Sequence, residues 1–256
     1  MRFSRYKLIL TALLMSFLFS GQASADVLDQ QVNFNVNSKF DRYGRTFLGA
    51  TLRHLGDRAY FYVEDTFWNG LTEDQRNNLK GNINILGSYF DTAIYPRETS
   101  FFGSEPNPGI DGDNKLTILL HELNQNNGGY FDTSHGYSRD DISESNVREM
   151  IFLNAEVVIK DSGYGKIFLA HEFQHLISFN QKEKIYKLSE DVWLNELRSE
   201  YAVTKAGLND EYADSSLSRR VESFLSNSTN SLTEWPNENT DYGVAAVFAE
   251  YLTEQF

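Results

Sequence analysis

His171-Glu172-Phe173-Gln174-His175 sets two imidazoles four residues apart, with a carboxylate beside the first. Residues 167–179 contain neither proline nor glycine, and Glu172 is the only acidic or basic residue besides the two histidines from Leu169 to Ile177. That stretch predicts a helix buried on most sides. On a helix, residues four apart stand one turn apart on one face, so both rings reach a single metal ion. Zinc takes neutral imidazole nitrogen at ~2.0–2.1 Å and keeps one coordination position open in catalytic sites. Glu172 then stands where it can take a proton from a water attacking a peptide carbonyl. A buried helix carrying His, Glu and His without a metal has to satisfy three polar groups some other way, which weighs against two histidines on an ordinary solvated helix.

A third ligand must come from elsewhere. No histidine follows His175, and the chain has no cysteine. Position 181, where a metzincin has its third histidine, is Gln181, and position 178 is Ser178 instead of glycine. A carboxylate therefore completes the set, from Glu183, Glu190, Asp191, Glu196 or Glu200. Glu196 lies beside a Leu194, Leu197, Tyr201 stripe, which turns it inward if 192–206 is helical.

Trp193-Leu194-Asn195-Glu196-Leu197-Arg198-Ser199-Glu200-Tyr201 resembles the second active-site helix of the gluzincins, the thermolysin-like zinc peptidases, whose pattern is Asn-Glu-x-x-Ser-Asp. The resemblance implies that Glu196 is the third ligand. It also implies that Asn195 and Glu200 support the ligating histidines, with Glu200 bonded to His171 where those enzymes carry aspartate. A closer resemblance is to the hyicolysin-like secreted neutral metallopeptidases, carried by 170–177, 193–196 and 199–202, with weaker pieces at 113–120, 129–131 and 145–154. Leu197 departs from it, since such enzymes read Asn-Glu-Gly. What the family implies is a zincin-like fold and hydrolysis of protein or peptide substrates with Zn2+. The strand just before the active-site helix, here within 150–155, is then expected to lie along the substrate. A peptidase also needs a donor for the oxyanion. Thermolysin uses a downstream histidine; here Tyr242 is the first candidate and Arg198 the second.

The elements that must position these groups follow from periodicity. Strands are predicted at 59–63, 116–120 and 150–153, extending toward 159. Thr72-Glu73-Asp74-Gln75 reads as a capping box for a helix over 73–90, with Leu79, Ile83, Leu86 and Phe90 on its buried face. Residues 96–112 and 124–141 read as loops, and 26–58 gives weak signals. Helices are expected over 166–179, 192–206, 215–225 and 242–252. The fold class is thus α+β: a small twisted mixed sheet with an active-site helix (26–180), followed by a helical C-terminal subdomain (181–256). Asp111-Gly112-Asp113-Asn114 resembles half a calcium loop, but Lys115 and Leu116 stand where an EF-hand needs an oxygen ligand and a glycine, although Glu122 falls at the twelfth position. A tight turn is preferred there, with an irregular Ca2+ site as the alternative. His54, His121 and His135 are read as structural.

The ends and the charge set the class. Arg2, Arg5 and Lys7, an apolar run over 8–19 and Ala23-Ser24-Ala25 form a signal peptide, 1–25, too short in its apolar part to span a bilayer. The chain is expected to be exported, extracellular or periplasmic, without stable membrane insertion after cleavage. Its net charge is −13; without the three leader cations, 20 Lys and Arg stand against 36 Asp and Glu, or −16. That excludes nucleic acid as a partner, which needs clustered positive charge. The sequence leaves two functional classes: a zinc metallopeptidase with Glu172 as base, or a non-catalytic zinc-binding surface or scaffolding protein with a degenerate site, a reading fed by the missing downstream histidine.

Overall fold

The computed structural model describes residues 25–255, and the leader expectation rests on residues outside them. One six-stranded mixed sheet organises the fold, in the order β1 (Gln31–Asn35), β2 (Phe47–Leu55), β3 (Ala59–Glu64), β4 (Leu116–His121), β6 (Met150–Asn154), β5 (Gly129–Tyr130). β3, β4 and β6 are parallel; β1, β2 and β5 join antiparallel. Every residue of β3, β4 and β6 is buried, as parallel strands covered on both faces must be.

The two-residue period divides these strands between two cores. Phe61, Val63, Ile118, Leu120, Ile151 and Leu153 face the helical side. Tyr60, Tyr62, Leu119, Met150 and Phe152 face the other, in one cluster with Phe34, Leu48, Ala50 and Leu52 of β1 and β2. These first two strands were not legible in the sequence, because β1 has only two apolar residues and β2 breaks its alternation at Phe47-Leu48, at Gly49-Ala50 and at a register shift between Leu52 and His54.

The helical side is covered by α2 (Glu73–Tyr89) and α5 (Ser162–Ser178); α1 (Asp65–Gly70) and α4 (Ala155–Lys160) are single short turns beside them. The capping box of α2 forms as expected: Gln75 N–H donates to Thr72 Oγ1 at 3.3 Å, and Thr72 N–H to Gln75 Oε1 at 2.8 Å. Such a cap contributes ~1 kcal/mol. Leu79, Ile83 and Leu86 then meet Leu169, Phe173 and Leu176 of α5. α5 begins four residues earlier than its periodicity suggests, because Asp161 caps it by accepting from Gly163 N–H at 2.7 Å. The expected strand at 150–159 ends at Asn154, whose side chain caps α4.

Two loop expectations are corrected. Residues 96–102 belong to α3 (Tyr95–Phe102), which continues α2 without a break through a π-helical turn, Phe90–Ile94, that comes just ahead of Pro96. The 124–141 segment carries β5, which pairs through Gly129↔Leu153 and Tyr130↔Phe152. β6 is therefore an interior strand, and the expectation that 150–155 lies along a substrate fails: the edge on that side of the sheet is β5. Helices α6 (Val192–Lys205), α7 (Ser216–Ser226) and α8 (Asn239–Gln255) complete the chain, with a small core of their own around Leu197, Ala245 and Ala249.

β5 owes its position to an aromatic stack. Tyr130 lies flat between Phe40 (4.5 Å, 9°) and Phe152 (4.3 Å, 3°). Phe152 is fully buried, so Phe152→Ala removes both a core ring and the platform under the edge strand. Its expected cost is ~3–5 kcal/mol in urea unfolding.

Candidate metal centre

His171 and His175 project from one face of α5, and Glu196 approaches them from α6, packed alongside. One donor atom from each lies within 4.8 Å of the others. His171 Nε2 to Glu196 Oε2 is 3.1 Å, His175 Nε2 to Glu196 Oε2 is 3.7 Å, and the two Nε2 atoms are 3.2 Å apart. A tetrahedral ion with bonds of ~2.0–2.1 Å holds its ligands ~3.3 Å from one another. The observed triangle has that size.

The outer contacts fix which nitrogens face inward. His175 Nδ1 is 2.6 Å from Asn195 Oδ1, an oxygen that can only accept, so Nδ1 carries the proton and Nε2 presents its lone pair. Ser199 Oγ also approaches that Nδ1 at 3.0 Å while donating to Gln174 Oε1 at 2.7 Å. His171 Nδ1 faces Glu200 Oε1 at 3.5 Å. Two imidazole lone pairs and a carboxylate oxygen that is buried and otherwise without a hydrogen-bond partner thus converge on one point. Such a set repels itself unless a proton or a cation sits among its members. The residues fit a divalent ion with nitrogen and oxygen preference.

Without metal, a proton does this work. Burial opposes charge on His171, but the hydrogen bond its ring donates to Glu196 and the charges of Glu196, Glu172 and Glu200 push it up to about 9. Burial holds His175 down to about 4. Burial also pushes Glu172 up to about 7, aided by Glu196 and opposed by His171 and by the nearby Phe131 backbone N–H.

A cleft opens on both sides of this point. On one side, a cavity of about 560 Å³ is bounded by His175, Phe40, Phe131, Leu188, Val192 and Trp235. On the other, a cavity of about 1040 Å³ is bounded by His171, Tyr164, Phe168, Val203, Arg219 and Arg220. Gly129, Glu172 and Tyr242 line both.

No family model matches this chain. A curated relative does. The chain is 27 % identical over 243 residues to the neutral metalloprotease ShpI of Staphylococcus hyicus, a match covering 86 % of this chain and 50 % of that protein. The chain thus spans about half the length of the curated relative it matches.

The other sequence candidates divide. Tyr242 comes to the centre: its ring lies 6.4 Å from that of His171 and its hydroxyl donates to Asn237 Oδ1 at 2.8 Å. Arg198 does not, since it pairs with Glu190 and lines neither cavity. Asp111 and Asp113 form a turn, accepting from Asp113 N–H at 2.9 Å and Lys115 N–H at 3.0 Å. Glu122 is engaged elsewhere by Tyr43. The expected turn is closed by Gly112 N–H, which donates to Gly109 O at 2.9 Å. His54, His121 and His135 lie outside the centre, against Phe61, Asp41 and Phe152.

Sequence reasoning missed Arg220. Its guanidinium grips Glu200 through two bonds of 2.7 Å and lies over the Tyr242 ring, 4.8 Å from the centroid. Only the need of a buried Glu200 for a cation pointed to it, and spacing does not say which Arg answers. The Glu200 side chain is 4 % exposed and that of Arg220 26 %. Arg220→Ala strands a buried carboxylate, and unfolding in urea should show a loss of about 3 kcal/mol, the lower end for a broken buried pair.

Proposed function

We propose that this chain is an exported zinc-dependent metallopeptidase that hydrolyses peptide bonds with Glu172 as general base, His171, His175 and Glu196 holding the metal. The observation that carries the reading is the tetrahedral-sized triangle of donors with Glu172 next to it, both under the exposed edge of β5. Similarity to a neutral metalloprotease over most of the chain supports it. The finer assignment is to hyicolysin-like enzymes within the gluzincins, on the wording of 170–177 and 193–202. In this reading 1–25 is the signal peptide, 26–180 the sheet-bearing subdomain and 181–256 the helical one, with the cleft between the last two.

Bound to the three donors, zinc would supply Lewis acidity, polarising a carbonyl and lowering the pKa of water toward ~7. The chain's own groups do the rest. Asn195 and Glu200 hold the imidazoles with their Nδ1 protons outward, which orients the ligands and raises their basicity. Glu172 accepts the proton of the attacking water at its carboxylate and can deliver it to the departing amine. Its burial, which lifts its pKa toward neutrality, suits a group that must take and release a proton. β5 offers backbone groups at the edge of the sheet to an extended peptide lying antiparallel to it. The Tyr242 hydroxyl is the candidate donor to the oxyanion. Burial raises its pKa, so it stays protonated at neutral pH, and it must exchange its bond to Asn237 for one to the substrate.

Two measurements test the reading. Glu172→Gln should retain one zinc per chain by metal analysis and lose ~10²–10⁴-fold in casein hydrolysis; unchanged activity would remove Glu172 from the mechanism. The second concerns protons. His171 is protonated in the metal-free chain up to about 9, so zinc must displace that proton at pH 7 to 8, whereas His175 is already neutral. Zinc affinity should rise about tenfold per pH unit from 7 until it levels near 9. Calorimetry in buffers of different ionisation heat should count about one proton released.

A further inference from the structure

Between the end of α5 and the start of α6 the chain exposes an unusual run of apolar side chains. Ile185 is 54 % exposed, Tyr186 66 %, Leu188 56 % and Val192 56 %. Four large apolar groups exposed within eight residues are the kind of feature that marks an interaction surface.

The segment is held in this pose. Leu188 N–H donates to Lys182 O at 2.9 Å, closing a loop onto the π-helical turn Phe179–Ile185. Lys187 takes a left-handed conformation (φ 57°), which is unfavourable for a residue that carries a side chain. At the far end Glu190 pairs with Arg198 on α6. Two anchors and a strained residue thus hold apolar groups in water.

The patch also has a neighbour. Leu188 and Val192 line the same cavity as His175, Glu196, Phe131 and Trp235, together with the charged Lys182, Glu183 and Glu190, so these two side chains bring apolar surface into the cleft. The direction of β5 decides which part of a bound peptide meets it. Gly128, just ahead of β5, lies against Phe168 in the other cavity, while Phe131, just after it, lines the Leu188 side. A peptide antiparallel to β5 therefore enters with its N-terminal half over Leu188 and Val192 and leaves with its C-terminal half past Phe168.

We propose that Leu188 and Val192 form a rim that is a recognition surface for large apolar side chains on the N-terminal side of the bond presented to the metal centre. This rests on the peptidase reading for what the bound chain is. It goes beyond that reading by naming a preference and the residues that set it. The occupant is an extended peptide with leucine, isoleucine or aromatic residues two to four positions before the bond.

Binding can be read apart from cleavage. Zinc-loaded full-length protein carrying Glu172→Gln is titrated into two fluorescein-labelled decapeptides, identical except that one has Leu and Phe in its N-terminal half where the other has serines. Fluorescence anisotropy should give the apolar peptide the tighter binding. Adding Leu188→Ser and Val192→Ser should weaken that peptide about tenfold, by the apolar area withdrawn, and leave the serine peptide unchanged. Both side chains are more than half exposed, so the fold should survive, and an unchanged melting temperature checks this; Val192→Ser alone should act in the same direction. Equal binding of the two peptides, or indifference to the substitutions, overturns the proposal. So does sedimentation showing that the rim joins two copies of the chain and that the substitutions separate them. Casein hydrolysis by the unaltered protein reports on the peptidase reading separately, so rim-dependent binding without hydrolysis sinks that reading and not this one.

Discussion

Two imidazole nitrogens and a carboxylate oxygen converge within 3.1 to 3.7 Å of one another, and the Nδ1 of each histidine faces an oxygen outside that point, Glu200 Oε1 for His171 and Asn195 Oδ1 for His175. A protein does not bring lone pairs together in a buried place without something to bind there, since their mutual repulsion is unscreened by water. The wider charge count agrees. Glu172, Glu196 and Glu200 face Arg220 alone among the cations at the centre, leaving two negative charges when the imidazoles are neutral. A divalent cation cancels them. In the metal-free chain the same imbalance shows as a raised pKa at His171 and at Glu172.

The sheet brings the edge strand to this point. Three parallel strands buried on both faces make a floor on which α5 lies through Leu169, Ala170, Phe173 and Leu176. β5 then has to pass close over α5. A Cβ at Gly128 would stand 2.2 Å from the Phe168 ring, and one at Gly129 would stand 2.9 Å from Phe152 O and 3.1 Å from Glu172 Cγ. Only residues without side chains let the backbone run this near to the candidate base. Gly129 thus touches β6 on one side and Glu172 on the other, so strand, helix and site are one packing arrangement.

How much of this was legible in the sequence follows from the range of the interactions involved. The His171, Glu172, His175 set is written in one turn of helix, where four-residue spacing is geometry enough. Glu196 needed a resemblance to single it out, because five downstream carboxylates satisfy the chemistry and only the crossing of α6 over α5 selects one. β5 was invisible: two residues, one of them glycine, inside a polar loop carry no periodicity. The expectation that 150–155 is the exposed edge failed for the same reason, since nothing in β6 announces a two-residue strand beside it. The loop expectation over 96–112 missed α3 because a proline reads as a break, whereas here the π-helical turn Phe90–Ile94 just ahead of Pro96 carries the helix on. Arg220 was out of reach because its partner lies 20 residues away on another helix, and Arg219 beside it is an equally plausible choice from spacing alone.

The groups around the metal centre come from two kinds of source. α5 supplies His171, Glu172 and His175 from a single turn, so their relative geometry is set by the helix itself. Glu196, Arg220 and Tyr242 come from α6, α7 and α8, one each, so their positions are only as good as the packing of those helices on one another. That packing uses small residues. Ala245 and Ala249 meet Leu197 in the lobe's core. Gly243 lies so near α7 that a Cβ there would stand 2.9 Å from Arg220 O and 2.8 Å from Phe224 N. Gly243 follows Tyr242 directly, and its contact is the backbone of Arg220 itself. The close crossing of α7 and α8 is therefore what lays the Arg220 guanidinium over the Tyr242 ring and carries it on to Glu200 and His171. The helical lobe has to be tightly packed because it holds half of the site.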